Sequence, residues 1–252
     1  NCYIPNRNIP DMDVSRLYAL MGELPFRTDI RLIGAEPTSR EDLPQIIQNT
    51  RKLGHRPSIL TGGLKFKNLK YVNNLWNHGL RSLGLSMNGG DDDEIYGIMD
   101  GKPKYAYPKT HALKNCFDRG MIVHINCILA GGVNEHLVRD LPRLVTEYAK
   151  NANRTFGKRY PIMVRFKNIG QVGRYMEDEK VISMEHIAGL CEKYLGVKKD
   201  EVLKKNFVDG YNECSSSVFP IDTEQGPLYI KITDWSVSDD GIPDPGSRRR
   251  GR

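Results

Sequence analysis

The 252 residues carry 37 Lys and Arg against 31 Asp and Glu, enough chain to bury one barrel-sized core or two small ones. Four of the six excess positive charges are Arg248, Arg249, Arg250 and Arg252, so the body is nearly neutral, which argues against an extended nucleic-acid footprint. No apolar run approaches the roughly 20 residues that span a bilayer, no signal-peptide pattern opens the chain, and the cysteines at 2, 116, 127, 191 and 214 form no paired framework; the expectation is a reduced, cytoplasmic protein without a membrane partner.

The chain opens at Asn1-Cys2-Tyr3, without a methionine, and closes in an Arg-rich polar tail, which reads as a fragment of a longer protein. Asp13 caps an expected helix from Val14 to about Glu23, with Val14, Leu17, Leu20 and Met21 on one face. From there strands and helices alternate. Asp29 to Ile33 reads as a strand, followed by a helix from about Arg40 to Leu53, with Ser39 and Asp42 at the spacing of an N-cap box and Gly54 as its stop. Ser58 to Thr61 is strand-like, with Gly62-Gly63 behind it and a helix from about Lys67 to His78. Arg81 to Met87 is the next strand, and the acidic run Asp91 to Glu94 suits the start of a short helix. Lys102 to Pro108 reads as a loop and Lys109 to Arg119 as a helix. Met121 to Leu129 is the most β-like run, and a helix follows from near Asn134 to about Asn151. Pro161 to Phe166 is a strand and Ser183 to Leu195 a helix.

Five strands each followed by a helix, with one leading helix whose strand would precede Asn1, predict an α/β protein: a partial (β/α)6 TIM-like barrel over residues 1–199. Residues 200–252 are expected to form a small C-terminal β appendage covering one barrel end, with a hairpin of Ser217 to Asp222 and Leu228 to Thr233, and then the basic tail.

In such a barrel the loops at the C-terminal strand ends carry the ligand site. Here they are polar and glycine-rich: Asn1-Cys2-Tyr3, Gly34-Ala35-Glu36-Pro37, Thr61-Gly62-Gly63 and Ser86-Met87-Asn88-Gly89-Gly90. Gly34 and Ala35 leave room for a ligand against the backbone, Pro37 stiffens the loop, and Glu36 is placed to orient it or to meet a cationic group. Period-two alternation puts Ile122, His124 and Asn126 on one strand face, towards the barrel interior.

Together these residues resemble the radical S-adenosylmethionine (radical SAM) superfamily, in the branch that holds the molybdenum-cofactor enzyme MoaA and the peptide-maturing enzymes. Asn1-Cys2-Tyr3 resembles the end of the Cys-x-x-x-Cys-x-x-Cys signature with Cys2 as its third cysteine, and Gly34-Ala35-Glu36-Pro37 resembles the Gly-Gly-Glu-Pro motif, departing at Ala35. Val123-His124-Ile125-Asn126 followed by Gly132-Val133-Asn134-Glu135 is similar to the fifth-strand pattern.

The resemblance implies an enzyme in which three thiolates, Cys2 among them, hold a [4Fe-4S] cluster, soft anionic sulfur suiting iron at low potential. The cluster, fed by a donor such as flavodoxin or ferredoxin, cleaves S-adenosylmethionine to a 5′-deoxyadenosyl radical that takes hydrogen from a substrate, a peptide or small molecule being favoured. It also implies that the loop of Gly34, Ala35, Glu36 and Pro37 meets the methionyl amino group, that Ser86 and Asn88 face the ribose, and that Asn126 faces the ribose or the methionyl carboxylate. The first two cluster cysteines are absent from the sequence and are expected just upstream of Asn1. Two other readings of the same strand-end glycines stand beside this one: a cluster-free barrel that cradles a phosphate or nucleotide, and a non-catalytic barrel that binds a partner.

Overall fold

The alternating runs fold in the computed structural model into one layer of strands backed by helices; it describes residues 10–157, 161–168, 180–212 and 216–233. The strands are β1 (Asp29–Leu32), β2 (Arg56–Thr61), β3 (Ser82–Ser86), β4 (Ile122–Leu129), β5 (Met163–Asn168), β6 (Ser216–Ile221) and β7 (Leu228–Thr233). They form a single sheet in the order β1-β2-β3-β4-β5-β7-β6. Every pair is parallel except β6 with β7. Among the described residues the sheet is open, with β1 at one edge and β6 at the other.

The helices are α1 (Val14–Gly22), α2 (Leu43–Lys52), α3 (Leu69–Asn77), α4 (Asp93–Asp100), α5 (Ala106–Arg119), α6 (Leu137–Asn151), α7 (Met184–Leu195) and α8 (Lys199–Asn212). Ile59, Leu83, Leu85, Val123, Ile125, Cys127, Val164 and Phe166 point to the helix side and are fully buried, with Ile47, Leu75, Leu113, Leu141 and Ile187 packed among them. Each such side chain contributes about 1.5–3 kcal/mol through the water it leaves. The alternate residues of each strand, among them Ser58, Gly84, His124 and Arg165, are only half-buried and face the concave side, as period two requires.

Several local expectations change. Leu20, placed on the buried face of α1, is 45% exposed, because α1 sits at the β1 edge and only Met21 is buried there. The N-cap box of Ser39 and Asp42 does not form: Arg40 takes both Asp42 oxygens at 2.9 and 2.8 Å, and the Ser39 hydroxyl donates to the Glu36 carbonyl at 2.7 Å. α5 starts three residues before Lys109, since Asp93 Oδ1 accepts from the Ala106 N–H at 2.9 Å and Pro108 falls in the first turn, where its missing donor costs nothing.

α8 was not expected. It packs against α7 and β6, buries Val202, and donates from Lys205 Nζ to the Val218 carbonyl at 2.8 Å. The hairpin forms, but it continues the sheet along β5 instead of covering a barrel end: Leu228, Ile230 and Ile232 are buried, and the β5 edge supplies the hydrogen bonds β7 needs.

Candidate functional site

The C-terminal ends of β1 to β4 lie side by side, and buried polar bonds fix their loops. After β1 the chain exposes Ile33, Gly34 and Ala35, then turns through a short 3-10 segment, Pro37–Ser39. Glu36 holds that turn. Its Oε1 accepts from the Thr38 N–H at 3.1 Å, the Thr38 hydroxyl at 2.7 Å and the Thr61 hydroxyl at 2.6 Å, while Oε2 accepts from the Gly62 N–H at 2.8 Å. One carboxylate therefore ties the loop after β1 to the loop after β2. Gly63 continues the second loop at φ 82°, and a Cβ there would stand 2.1 Å from Leu85 Cδ1, so only glycine fits.

A second knot holds the ends of β3 and β4. Lys109, 2% exposed, sends Nζ to the Ser86 carbonyl at 2.7 Å and lies 3.6 Å from Asp100 Oδ2, with the rings of Tyr96 and Tyr105 beside it. Burial pulls its ammonium pKa down and the Asp100 charge opposes that shift. Asn88 Nδ2 donates to Asp100 Oδ1 at 2.9 Å, and Asn88 Oδ1 accepts from the Ile128 N–H at 3.0 Å. Asn134, wholly buried, donates to the carbonyls of Asn88 and Ile128 at 2.8 and 2.9 Å and accepts from the Ala130 N–H at 2.8 Å.

The structure thus brings Gly34, Ala35, Glu36, Pro37, Ser86 and Asn126 to one end of the sheet, with Ser86 and Asn126 paired in register across β3 and β4. Asn88 joins them with its amide engaged inside the protein at both ends, 5% exposed, so it braces the loop and has little left for a ligand. Asn126 Nδ2 donates to the His124 carbonyl at 3.3 Å and borders the concave hollow. Cys2 lies outside the described residues. Cys116, Cys127 and Cys191 are buried, and burial pushes all three thiols up, so they behave as core. Among the described residues no group of three or more His, Cys, Asp or Glu is placed to hold a metal, so these residues alone do not fit a cluster. No helix among them is long and apolar enough to cross a membrane.

Residues 2–145, more than half of the chain, match the Radical SAM superfamily. The chain belongs to that family. A 7,8-dihydro-6-hydroxymethylpterin dimethyltransferase of Methanocaldococcus jannaschii is 31% identical over 141 residues, 54% of this chain and 27% of that protein. A GTP 3',8-cyclase of Staphylococcus epidermidis is 26% identical over 188 residues, 73% of this chain and 50% of that protein. This radical SAM chain therefore spans half or less of the length of these relatives. Its fold is similar to that of Streptococcus suis SuiB bound to the precursor peptide SuiA, with a TM-score of 0.55 at 14% identity, covering 82% of this chain and 42% of that one.

Sequence reasoning reached the Gly34 to Pro37 and Ser86 to Gly90 loops but missed Thr61 as the support of the first and Asp100 and Lys109 as the support of the second. No local signal marks Lys109: a lysine in the first turns of a helix reads as a solvated charge until the fold closes over it. The pairing of Glu36 with Thr61 and Gly62 spans 25 and 26 residues and exists only once β1 and β2 are in register.

Proposed function

We propose that this chain is the catalytic core of a radical SAM enzyme that binds S-adenosylmethionine across the C-terminal ends of β1 to β4. The observation that carries the reading is the loop after β1, in a chain of this family: Gly34 and Ala35 are exposed at the strand end, with open space within 4 Å of where a Gly34 Cβ would stand, and Glu36 anchors the turn to β2. The main chain of Gly34 and Ala35 would take the methionyl ammonium through its carbonyls. The Ser86 hydroxyl and the Asn126 amide, half-buried at the same end, would take hydroxyl or carboxylate oxygens. Asn88 acts one step back, keeping the loop after β3 in place.

A [4Fe-4S] cluster and S-adenosylmethionine, once bound, would supply the one-electron chemistry that leads to hydrogen-atom abstraction from a substrate. The chain's own part is to fix the cofactor's orientation and to keep water from the concave hollow. Cys2 is the cluster ligand we assign to this chain, a one-electron donor such as flavodoxin or ferredoxin its redox partner, and a small molecule or peptide its substrate class. Anaerobic reconstitution of the full-length protein with iron and sulfide is the test. A brown protein that forms 5′-deoxyadenosine under strong reduction is expected, with loss of both in Cys2→Ala. Full-length protein that takes up no cluster, or a Cys2→Ala variant with full activity, overturns the assignment.

A further inference from the structure

The concave side of the sheet has a charge pattern that the cofactor loops do not use. Ser58, Ser82 and Gly84 line that side across β2 and β3, and the Leu60 and Asn126 side chains lean over Gly84, where a Cβ would stand 2.8 Å from Leu60 Cδ1 and 3.0 Å from Asn126 Nδ2. Long cationic side chains border these residues on both sides: Arg31 from β1, and Arg165, Lys167 and Lys231 from β5 and β7. Arg31 stands in register with Ser58, and Arg165 with Lys231. No described residue lining this hollow of about 210 Å³ is acidic.

Arg31, Ser58, Ser82 and His124 also line a larger cavity of about 650 Å³ at the N-terminal strand ends. There the described lining holds one acid, Asp29, which is bound to Arg56 at 2.6 and 3.1 Å. Two of the arginines there have a structural role. Arg81 donates to the carbonyls of Trp76 and Leu80, and Arg154 to those of Phe117 and Met121, which places both at the negative ends of α3 and α5. Arg31 has no such role: it is exposed on β1, which lies at the sheet edge among the described residues, and no carboxylate of a described residue lies within 4 Å of it. Arg165, Lys167 and Lys231 each also engage another group of the chain. His124 reports that the cations converge: burial first, then the charges of Arg31, Arg165 and Lys231, push its pKa down to about 4.

We propose that this concave hollow is the substrate site, and that it takes a small organic oxyanion bearing a carboxylate or phosphate, met by Arg31 with Arg165 and Lys231. The inference rests on the radical SAM reading for its chemistry and on the hollow alone for its binding. The volume suits a small molecule, and guanidinium groups pair with both kinds of oxyanion. Bound there, the ligand would lie on the same side of the sheet as Asn126, which the cofactor reading also uses.

The test is calorimetric titration of the full-length protein with inorganic pyrophosphate and, separately, citrate, each at low and high salt. Saturable binding of at least one, weakened by salt, is expected, and Arg31→Gln should weaken it about tenfold or more. Arg139→Gln, which removes the partner of Asp140 on the outer helix layer, should bind like wild type. Saturation should also raise the His124 pKa in an NMR titration, because the anion offsets the three cations. Pyrophosphate binding alone assigns a phosphate-bearing substrate, and citrate binding alone a carboxylate. Absence of saturation by either at about 1 mM, or Arg31→Gln binding as tightly as wild type, overturns the proposal. 5′-deoxyadenosine measured in the same preparation keeps the two readings apart: its formation without anion binding sinks this inference alone, and anion binding through Arg31 without it sinks the radical chemistry and leaves the site.

Discussion

Removing the carboxylate of Glu36 tests most directly how the loops after β1 and β2 are held together. Its two oxygens accept from Thr38 twice, from Thr61 and from Gly62, and both threonines are only 3% exposed. In Glu36→Gln the amide oxygen keeps the Oε1 cluster, but the amino group then faces the Gly62 N–H, donor against donor. One charge-assisted bond is lost and a donor is stranded, which costs about 1.5–3 kcal/mol. Glu36→Ala strands the donors of Thr38, Thr61 and Gly62 together, for about 3–5 kcal/mol. Urea unfolding checks this: both variants should lower the midpoint with an unchanged slope, alanine more than glutamine, and Gly62 should lose amide-exchange protection. S-adenosylmethionine binding should weaken in both, since Gly34 and Ala35 would no longer be held against β2. A Glu36→Ala protein destabilised by less than about 1 kcal/mol would refute the anchor.

Three further outcomes follow from the bonds that hold the ends of β3 and β4 and from His124. Lys109→Met should cost about 3 kcal/mol, because it leaves Asp100 without its cation and the Ser86 carbonyl without its donor; a thermal midpoint like wild type's would contradict this. Asn134→Ala removes three buried hydrogen bonds and should cost about 3 kcal/mol in the same melt. His124 is held near a pKa of about 4 when folded, below the unfolded value of about 6.5, so the unfolded chain binds the extra proton first. Stability is therefore complete above about pH 6.5 and falls as pH drops towards 4, by up to about 3 kcal/mol. In His124→Asn the difference between denaturant midpoints at pH 7 and pH 5 should shrink; an unchanged difference would refute the burial argument.

How much of this was legible in the chain follows from the range of the forces involved. Strand and helix positions came through because periodicity and caps act over a few residues: Ile122, His124 and Asn126 do share one face of β4, and Asp13 does cap α1. The start of α5 and the existence of α8 did not, because a carboxylate thirteen residues away holds the one and packing against α7 and β6 the other.

The sequence by itself determined the βα alternation, the glycine-rich strand ends and the family signature at Gly34 to Pro37, all of which are written in neighbouring residues. Only the tertiary structure decided what the polar side chains do. Glu36 became an anchor between two strands, Asn88 turned inward to brace its loop, Lys109 was buried beside Asp100, and Arg31 was left facing the cations of β5 and β7. A hydrogen bond or an ion pair needs its partner within about 3–4 Å, and for these residues the partner arrives from a distant part of the chain only when the sheet is assembled.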